Sequence, residues 1–404
     1  MNKYISIFFC VQIIALNLFA MQPKVTPVDY VRPQIDTHKS RWFFFSSASR
    51  PFGMVSLSPD TWTEGSWNSG YLYNSKEIRC FSHVHCWQLA GVPVMPTTGE
   101  VKGHKGMDAY KSTYSHETEI VKPGYHKVEL DTYQIRVELT STSRVGMHRY
   151  TYPAGEKANV LFDVGALLAH GKTEKAAIHR ISSKEIGGYS VLAPTSRRKK
   201  PVTVYFVARF NQNMTAFGGW EKEGKEKKLV HKNSIEGADI GGYASFGKLK
   251  KQTLLMKVGI SYVSEEQARI NLEKELAHWN FDRVKEDAFA EWNRELGKIT
   301  VEGGSEEEKI KFYTDLWHSL LGRHTFSDFN GKYIDNTGEE PVVRQVPLDN
   351  GTPTRNTYNS DAFWGSEFNL NILWSIAYPK VMSEFVSTLV DYYTNGGMIA
   401  RGPS

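Results

Sequence analysis

The pattern of apolar residues changes once along this chain, at Ser264, and that change constrains the fold more than any other sequence feature. Upstream, short segments alternate apolar and polar residues, for example 126–130 and 133–139 on either side of Asp131-Thr132. Alternation predicts strands, and two such runs joined by a short turn predict a hairpin. Many strands without intervening helical periods indicate a large antiparallel β-sandwich, which we place at residues 21–263.

Downstream of Ser264, apolar residues recur with the helical period of about 3.6 residues. The sequence Ser264-Glu-Glu-Gln267 is a capping box that opens one long amphipathic stretch ending at Gly297. We interpret residues 264–304 as a helical linker between domains. A second capping box, Ser305-Glu-Glu-Glu308, opens a further helical region, residues 305–404.

The helices of residues 305–404 carry broad apolar faces with few candidate partners in this chain. An amphipathic helix has to bury its apolar stripe against something. We therefore interpret the chain as the N-terminal part of a longer protein. We expect four large side chains here to be unusually exposed for their type, or to form one large apolar patch: Phe312, Trp317, Phe385 and Leu389.

Residues 1–20 have the composition of a signal peptide, with Lys3 before an apolar segment and Ala20 at the expected cleavage point. The segment is short for a membrane span and contains Gln12 and Asn17. We predict a secreted or periplasmic protein without a membrane span. The net charge of the whole chain is only +5, and its basic run, residues 197–200, is typical of a solvated turn, so we expect no nucleic-acid partner. The sequence leaves the oligomeric state open.

A stretch at residues 67–87 combines aromatic rings with small hydrogen-bonding side chains. His83 and His85 lie two positions apart, and in a strand such side chains point to the same face. Ring faces such as that of Trp87, beside a few polar groups, suit a sugar ligand. We therefore predict that His83, His85 and Trp87 bind substrate. The alternative is that the rings form the sandwich core and the imidazoles its polar edge.

Two cysteines remain after the leader, Cys80 and Cys86. In an extended segment their α-carbons would be about 20 Å apart, too far for a disulfide. Their spacing with the neighbouring histidines matches no zinc pattern, so we predict free thiols and no metal ligands in this chain.

The helical region offers three more candidate substrate-binding residues, Asp361, Trp364 and Glu367. The alternative for the two acids is a solvated helix start, where negative charge is favoured by the helix dipole. Asp328 is either a site carboxylate or a turn residue beside Asn330. We assign Arg144 and His148 to a polar network within the sandwich.

These motifs together resemble glycoside hydrolase family 92, the exo-acting, calcium-dependent α-mannosidases. The resemblance covers nearly all of residues 26–404. It rests on motifs in the same order: an opening motif at 51–60, an aromatic and histidine signature at 70–73 and 78–85, segments 123–125 and 139–150, a junction at 258–275, and the start of a helical domain at 312–328.

The resemblance implies a β-sandwich packed on an (α/α)6 barrel, with the active site between them and a mannose-containing glycan as substrate. It also implies a bound calcium and an inverting mechanism, in which an acid and a base stand about 6.5–9.5 Å apart. In the family, the acid, the base and most calcium contacts come from later helical segments. We therefore leave the catalytic residues unassigned, interpret residues 305–404 as the start of a truncated catalytic domain, and expect this chain alone to be inactive.

The sequence departs from the family pattern at two candidate site positions. Gly365 stands where the family motif Trp-Asp-Thr-Phe has an aspartate that contacts the sugar, and Asp361 or Glu367 would have to replace it. Cys86-Trp87 stands where Ser-Gly is usual. These departures indicate a divergent branch. Two other hypotheses are a non-catalytic carbohydrate-binding sandwich and a purely structural partner domain, since a fold alone does not define function.

Overall fold

The computed structural model describes residues 25–38, 46–64, 70–86, 89–166, 168, 172–196, 198–359, 366 and 368–399. Two large antiparallel sheets dominate its first two thirds. The eight-stranded sheet has the order β1 (Ala48–Ser49), β2 (Ser56–Asp60), β4 (Cys80–Ser82), β7 (Val94–Thr98), β13 (Lys157–Phe162), β20 (Gly241–Lys248), β17 (Ala216–Glu223) and β18 (Glu226–Val230). The nine-stranded sheet has the order β19 (Ser234–Gly237), β14 (Thr173–Arg180), β15 (Glu185–Leu192), β16 (Val202–Phe210), β21 (Thr253–Ser261), β12 (Val145–Thr151), β11 (Ile135–Ser141), β10 (Tyr125–Leu130) and β9 (Ile120–Lys122).

Among the described residues, four small two-stranded pairs accompany the two large sheets. They are β3 (Glu77–Ile78) with β8 (Ser112–Thr113), β5 (Val84–Cys86) with β6 (Leu89–Gly91), β22 (Lys332–Asp335) with β23 (Val342–Gln345), and β24 (Leu348–Asp349) with β25 (Thr352–Pro353). The main core lies between the two large sheets, where the rings of Phe162 and Phe206 stack with centroids 6.0 Å apart. The predicted fold class, a sandwich followed by a helical region, is confirmed.

The hairpin predicted around Asp131-Thr132 exists, but its turn is longer than the sequence pattern indicated. Strand β10 ends at Leu130 and β11 begins at Ile135. Tyr133 N donates to Leu130 O, and Gln134 takes a left-handed conformation with φ +52°. Tyr133 was wrongly predicted to lie in β11, because the alternation of apolar and polar residues continues through the turn.

The helices are α1 (Pro27–Tyr30), α2 (Met107–Tyr110), α3 (Glu265–Glu275), α4 (Phe281–Leu296), α5 (Glu306–Ser319), α6 (Leu370–Ala377) and α7 (Pro379–Gly396), with a 3₁₀ turn at Gly103–Lys105. The predicted single stretch from Ser264 to Gly297 is two helices, since Asn280 caps α4 by accepting a hydrogen bond from Arg283 N at 3.1 Å. Helix α3 packs so closely on β21 that a Cβ at Gly259 would clash with the Ala268 carbonyl.

A second core joins the N-terminal segment and the helical region, and Phe52 from the sandwich lies inside it. Phe52 has φ +55°, and its ring meets the edges or faces of Tyr358, Trp374 and Tyr378 at centroid distances of 6.4, 5.1 and 6.2 Å. Its carbonyl accepts hydrogen bonds from both the backbone N and the hydroxyl of Thr325, each at 2.8 Å. The sandwich is therefore fastened to the helical region by an inserted side chain.

None of the four side chains predicted to be exposed in the helical region is exposed, since Phe312 and Leu389 are half-buried and Trp317 and Phe385 are buried. Trp317 is buried because it packs on Trp292 of α4, with ring centroids 6.1 Å apart, and Phe385 is buried beneath the Arg323 guanidinium, 3.5 Å from its ring centroid. Instead, the outward faces of α6 and α7 are apolar and exposed at Ile372, Ile376, Val386, Val390 and Tyr393. Among the described residues, no helix has the length and apolar character needed to cross a membrane.

Candidate functional site

A buried ion pair lies at the end of β2, beneath the histidine signature. Asp60 Oδ1 is 3.0 Å from His85 Nε2, and the other carboxylate oxygen accepts a hydrogen bond from Ser82. His85 Nδ1 lies 2.6 Å from the carbonyl of Ser56. Both imidazole nitrogens thus face acceptors, and each must carry a proton to donate. Burial alone lowers the pKa of His85, but the Asp60 charge outweighs it and raises that pKa above its ordinary value.

The second histidine of the signature belongs to a different hydrogen-bonded chain. His83 Nδ1 donates to Val92 O at 2.7 Å, His83 Nε2 lies 2.9 Å from His148 Nε2, and His148 Nδ1 lies 2.9 Å from the Tyr150 hydroxyl. Burial lowers the pKa of His83 to about 4 and holds that of His148 well below its ordinary value. Both rings are therefore neutral, and Tyr150 starts a one-way series of donors that ends at Val92.

The backbone is strained at Val92, where this series of hydrogen bonds ends. Val92 has φ +54°, which is rare for a β-branched residue, and its carbonyl accepts the hydrogen bond from His83 Nδ1. Strain of this kind persists only where the surroundings over-determine the conformation, and it is frequent near functional sites. His83 is thus anchored in the sandwich, as is His85, and both side chains are inaccessible to solvent.

A loop folds over His85. Its two legs, residues 61–64 and 70–74, are joined by a hydrogen bond from Gly70 N to Trp62 O at 2.9 Å and one from Thr61 N to Gly70 O at 3.0 Å. Gly70 has φ +151°, and a Cβ added there would stand 3.7 Å from His85 Cδ2. We call residues 61–74 the 61–74 loop. Residues 65–69, which include Trp67, lie outside the described residues.

The helical region reaches this part of the sandwich through His324. Its Nδ1 donates to Gly53 O at 2.8 Å, and its backbone pairs with Asn359 in both directions, at 2.9 and 3.0 Å. Burial lowers the pKa of His324 to about 4, and the charge of His85 lowers it as well. His324 was not predicted from the sequence, because a lone histidine carries no periodic signal.

Arg144 and Asp328 serve the contact between the two regions. Arg144 binds Glu275 Oε1 at 2.7 Å, Ser327 O at 2.7 Å and Asn356 Oδ1 at 3.0 Å. The expectation that Arg144 stays within the sandwich network was therefore wrong, whereas His148 does stay there. Burial raises the pKa of Asp328 to about 6, and its oxygens accept from Asn271 and Ser261 at 2.7 and 2.9 Å.

Of the predicted substrate-binding residues, His83 and His85 are described, and Trp87, Asp361, Trp364 and Glu367 are not. Cys86 follows His85 in β5, and Asn359, next to His324, precedes the segment with Asp361. The role of all six residues stays a prediction. Cys80 and Cys86 are buried and form no disulfide, and no group of three ligating side chains among the described residues could hold a metal ion.

Known proteins give an independent view of the whole chain. The glycosyl hydrolase family 92 N-terminal domain matches residues 30–261, and the family 92 catalytic domain matches residues 267–404. An uncharacterized secreted glycosidase of Arthroderma benhamiae is 23% identical over 330 residues, which are 74% of this chain and 40% of that relative.

Solved structures extend the comparison to three dimensions. A family 92 α-mannosidase from Bacteroides thetaiotaomicron superposes with a TM-score of 0.81 at 26% identity, over 93% of this chain and 50% of that chain. The same enzyme in complex with mannoimidazole gives 0.79 at 26% identity, over 92% and 49%. A family 92 inverting mannosidase from the same organism gives 0.81 at 22% identity, over 94% and 50%, and supports the fold alone. The chain spans about half the length of these relatives. With both family domains matched in order, the chain belongs to glycosyl hydrolase family 92.

Proposed function

We propose that this chain forms the N-terminal part of a secreted, inverting exo-α-mannosidase that trims mannose-containing glycans. The observation that carries the proposal is the match to both family domains along one continuous chain. The structural similarity to an α-mannosidase solved with mannoimidazole supports mannose as the sugar.

The sugar site of this proposal lies at the junction of the sandwich and the helical region. Two segments with candidate sugar-binding residues would meet there: Trp87 follows Cys86 of the sandwich, and Asp361 comes shortly after Asn359 of the helical region. His324 relates to both segments: its backbone N donates a hydrogen bond to Asn359, and the charge of His85 lowers its pKa. Pockets between domains are common places for small ligands. Trp87, Trp364 and the acids Asp361 and Glu367 would line the site, with His83 and His85 supporting its sandwich wall.

An inverting mechanism needs one carboxylic acid to protonate the leaving oxygen and one carboxylate to activate water. The buried carboxylates near the junction are already committed to protein partners: Asp60 to His85 and Ser82, and Asp328 to Asn271 and Ser261. We therefore assign neither role to them. The acid and the base are expected from other parts of the catalytic domain, and this chain alone is expected to be inactive.

Calcium, which the family resemblance implies, prefers six to eight oxygen ligands. The described residues contain no cluster of carboxylates that would fit it. We assign no residue here to calcium, and no step of the proposal depends on it.

Turnover and binding test the proposal separately. We expect the purified chain to release no product from aryl α-mannosides or mannobiose above a heat-killed control. We also expect methyl α-mannoside to give a saturable signal in ligand-observed NMR. Trp87→Ala should weaken that binding about tenfold, equivalent to about 1.4 kcal/mol, and leave the thermal midpoint nearly unchanged.

Each result has a distinct meaning. Measurable turnover would refute the inactivity of this chain. A large loss of stability in Trp87→Ala would show that Trp87 belongs to the core. Absence of mannoside binding by the wild type would remove the sandwich from the sugar site. Binding here, together with an inactive enzyme assembled from the whole catalytic domain, would favour the alternative of a non-catalytic carbohydrate-binding module.

A further inference from the structure

The carboxylate of Glu119 lies in the sandwich beside the 61–74 loop and has no role in the proposed catalysis. The Glu119 side chain is fully buried. Its Oε2 accepts hydrogen bonds from His116 Nδ1 at 2.7 Å, Gln34 Nε2 at 2.8 Å and the Tyr71 hydroxyl at 2.9 Å. Its Oε1 lies at an ion-pair distance of 3.0 Å from His126 Nε2.

The partners of Glu119 come from separate parts of the chain. Gln34 belongs to the N-terminal segment, Tyr71 to the 61–74 loop, and His126 to β10. His126 is itself held by the Ser47 hydroxyl, 2.8 Å from its Nδ1. One carboxylate thus ties together segments that are distant in sequence.

The charge on Glu119 is maintained by these contacts. Burial by itself raises the pKa of Glu119, but the contacts from His126, His116 and Tyr71 outweigh it and hold the pKa below its ordinary value. A buried ionised group adds little net stability compared with an apolar side chain of the same volume. Its directional hydrogen bonds define one arrangement of the surrounding chain instead.

The arrangement that Glu119 defines includes the contact with His85. Tyr71 follows Gly70 directly, and Gly70 is the residue that lies against His85. Further along the loop, Tyr73 stacks on His116 with centroids 4.0 Å apart, and Tyr73 N donates to Thr37 O at 3.2 Å. Both contacts hold the same leg of the 61–74 loop that Glu119 binds.

We propose that Glu119 is a positioning residue, which fixes residues 70–74 of the 61–74 loop over His85. A role of this loop in a sugar site rests on the proposed function. The tethering itself does not, because it follows from contacts within the sandwich.

Hydrogen exchange of backbone amides tests the tether without any ligand. Three amides report on the loop: Gly70 N bonded to Trp62 O, Leu72 N bonded to Thr61 Oγ1, and Tyr73 N bonded to Thr37 O. In Glu119→Ala we expect their exchange to rise at least tenfold, while amides of β16 keep their wild-type rates. Glu119→Gln should give a smaller rise, since its amide oxygen can still accept some of the same hydrogen bonds.

Two further variants keep the test decisive. Tyr71→Phe removes only the hydroxyl that binds Glu119, and it should speed exchange at the same three amides even if Glu119→Ala fails to fold. Glu117→Gln, an exposed acid of the same connection, is the matched control and should change nothing.

The proposal is overturned if loop exchange stays at the wild-type rate in all Glu119 and Tyr71 variants. It is equally overturned if β16 exchange rises by the same factor, because Glu119 would then be a general stability element. Failure of mannoside binding would leave these results intact and would count against the proposed function alone.

Discussion

At the scale of single residues, the junction is built from titratable groups in opposite states. His85 is held as a cation by Asp60, whereas His83, His148 and His324 are held neutral by burial. A histidine with a raised pKa beside histidines with lowered pKa values gives this part of the sandwich a defined electrostatic pattern. That pattern depends on pH, and the direction of the dependence differs between the two kinds of histidine.

The direction in which stability changes with pH can be tested on a single group, His324. Its pKa is about 4 in the folded protein and 6.5 in the unfolded reference. As the pH falls from 6.5 towards 4, the unfolded state takes up a proton that the folded state does not, so stability is lost. Its full contribution is present above pH 6.5.

We expect His324→Asn to remove this dependence while an amide nitrogen replaces Nδ1 as donor to Gly53. Relative to this variant, the wild type should lose on the order of 3 kcal/mol of unfolding free energy between pH 6.5 and 4. The difference in unfolding free energy between the two proteins is measured by urea denaturation at several pH values. The contributions of all other titrating groups cancel in this difference. His231→Asn, at an exposed histidine, is the control. A constant difference across this pH range would contradict the assignment.

At the scale of elements, the link between the two regions depends on one ring in an unusual place. Phe52 leaves the sandwich with a left-handed backbone and enters the aromatic core of the helical region. Left-handed conformations cost free energy for residues other than glycine, so packing and the two hydrogen bonds from Thr325 have to offset that cost.

Replacing Phe52 with alanine should therefore destabilise both regions at once. Phe→Ala substitutions in a core cost about 3–5 kcal/mol, and we expect a loss of that size in urea denaturation followed by tryptophan fluorescence. Phe329→Ala is the matched control, because Phe329 is 43% exposed, and its effect should remain within about 0.5 kcal/mol. If Phe52→Ala unfolded only the helical region and left the sandwich transition unchanged, the ring would be a local contact and not a fastening.

The elements also show how much the sequence could predict. Alternation and helical period gave the order of sandwich and helices, and the Ser305 capping box is present as expected, with Ser305 and Glu308 bonded reciprocally. At Ser264 only half of that motif forms, the bond from Gln267 N to Ser264 Oγ. The left-handed positions Phe52 and Val92 were not predictable, because their backbone conformation is imposed by distant contacts. For the same reason the sequence placed the two signature imidazoles on one face but could not supply their partners, Asp60 and His148.

At the scale of the whole molecule, the helical region presents an apolar side to solvent. Ile372 and Ile376 lie one turn apart on α6, and Val386, Val390 and Tyr393 follow one face of α7. Contiguous exposed apolar surface is typical of interaction sites. Since the solved relatives are about twice as long, we propose that further helices of the catalytic domain cover this side.

In this chain alone, the uncovered side should cause self-association without contributing to stability. Ile376 is 78% exposed, so Ile376→Ser should change the unfolding free energy by less than about 0.5 kcal/mol. Sedimentation velocity should show fewer oligomers than in the wild type. Lys380→Ser, at an exposed polar position of α7, should leave association unchanged. A marked loss of stability in Ile376→Ser would mean that the side chain is already buried in solution.

The packing of the Phe52 ring into the helical region also limits how such a protein can change over evolutionary time. The ring is encoded with the sandwich, while the aromatic cavity that receives it is encoded some 300 residues later, at Tyr358, Trp374 and Tyr378. A recombination event that replaced either region alone would bring together a ring and a cavity with separate histories. The two regions are therefore expected to be inherited as a pair, and chimeras between family members should fold only when ring and cavity are exchanged together.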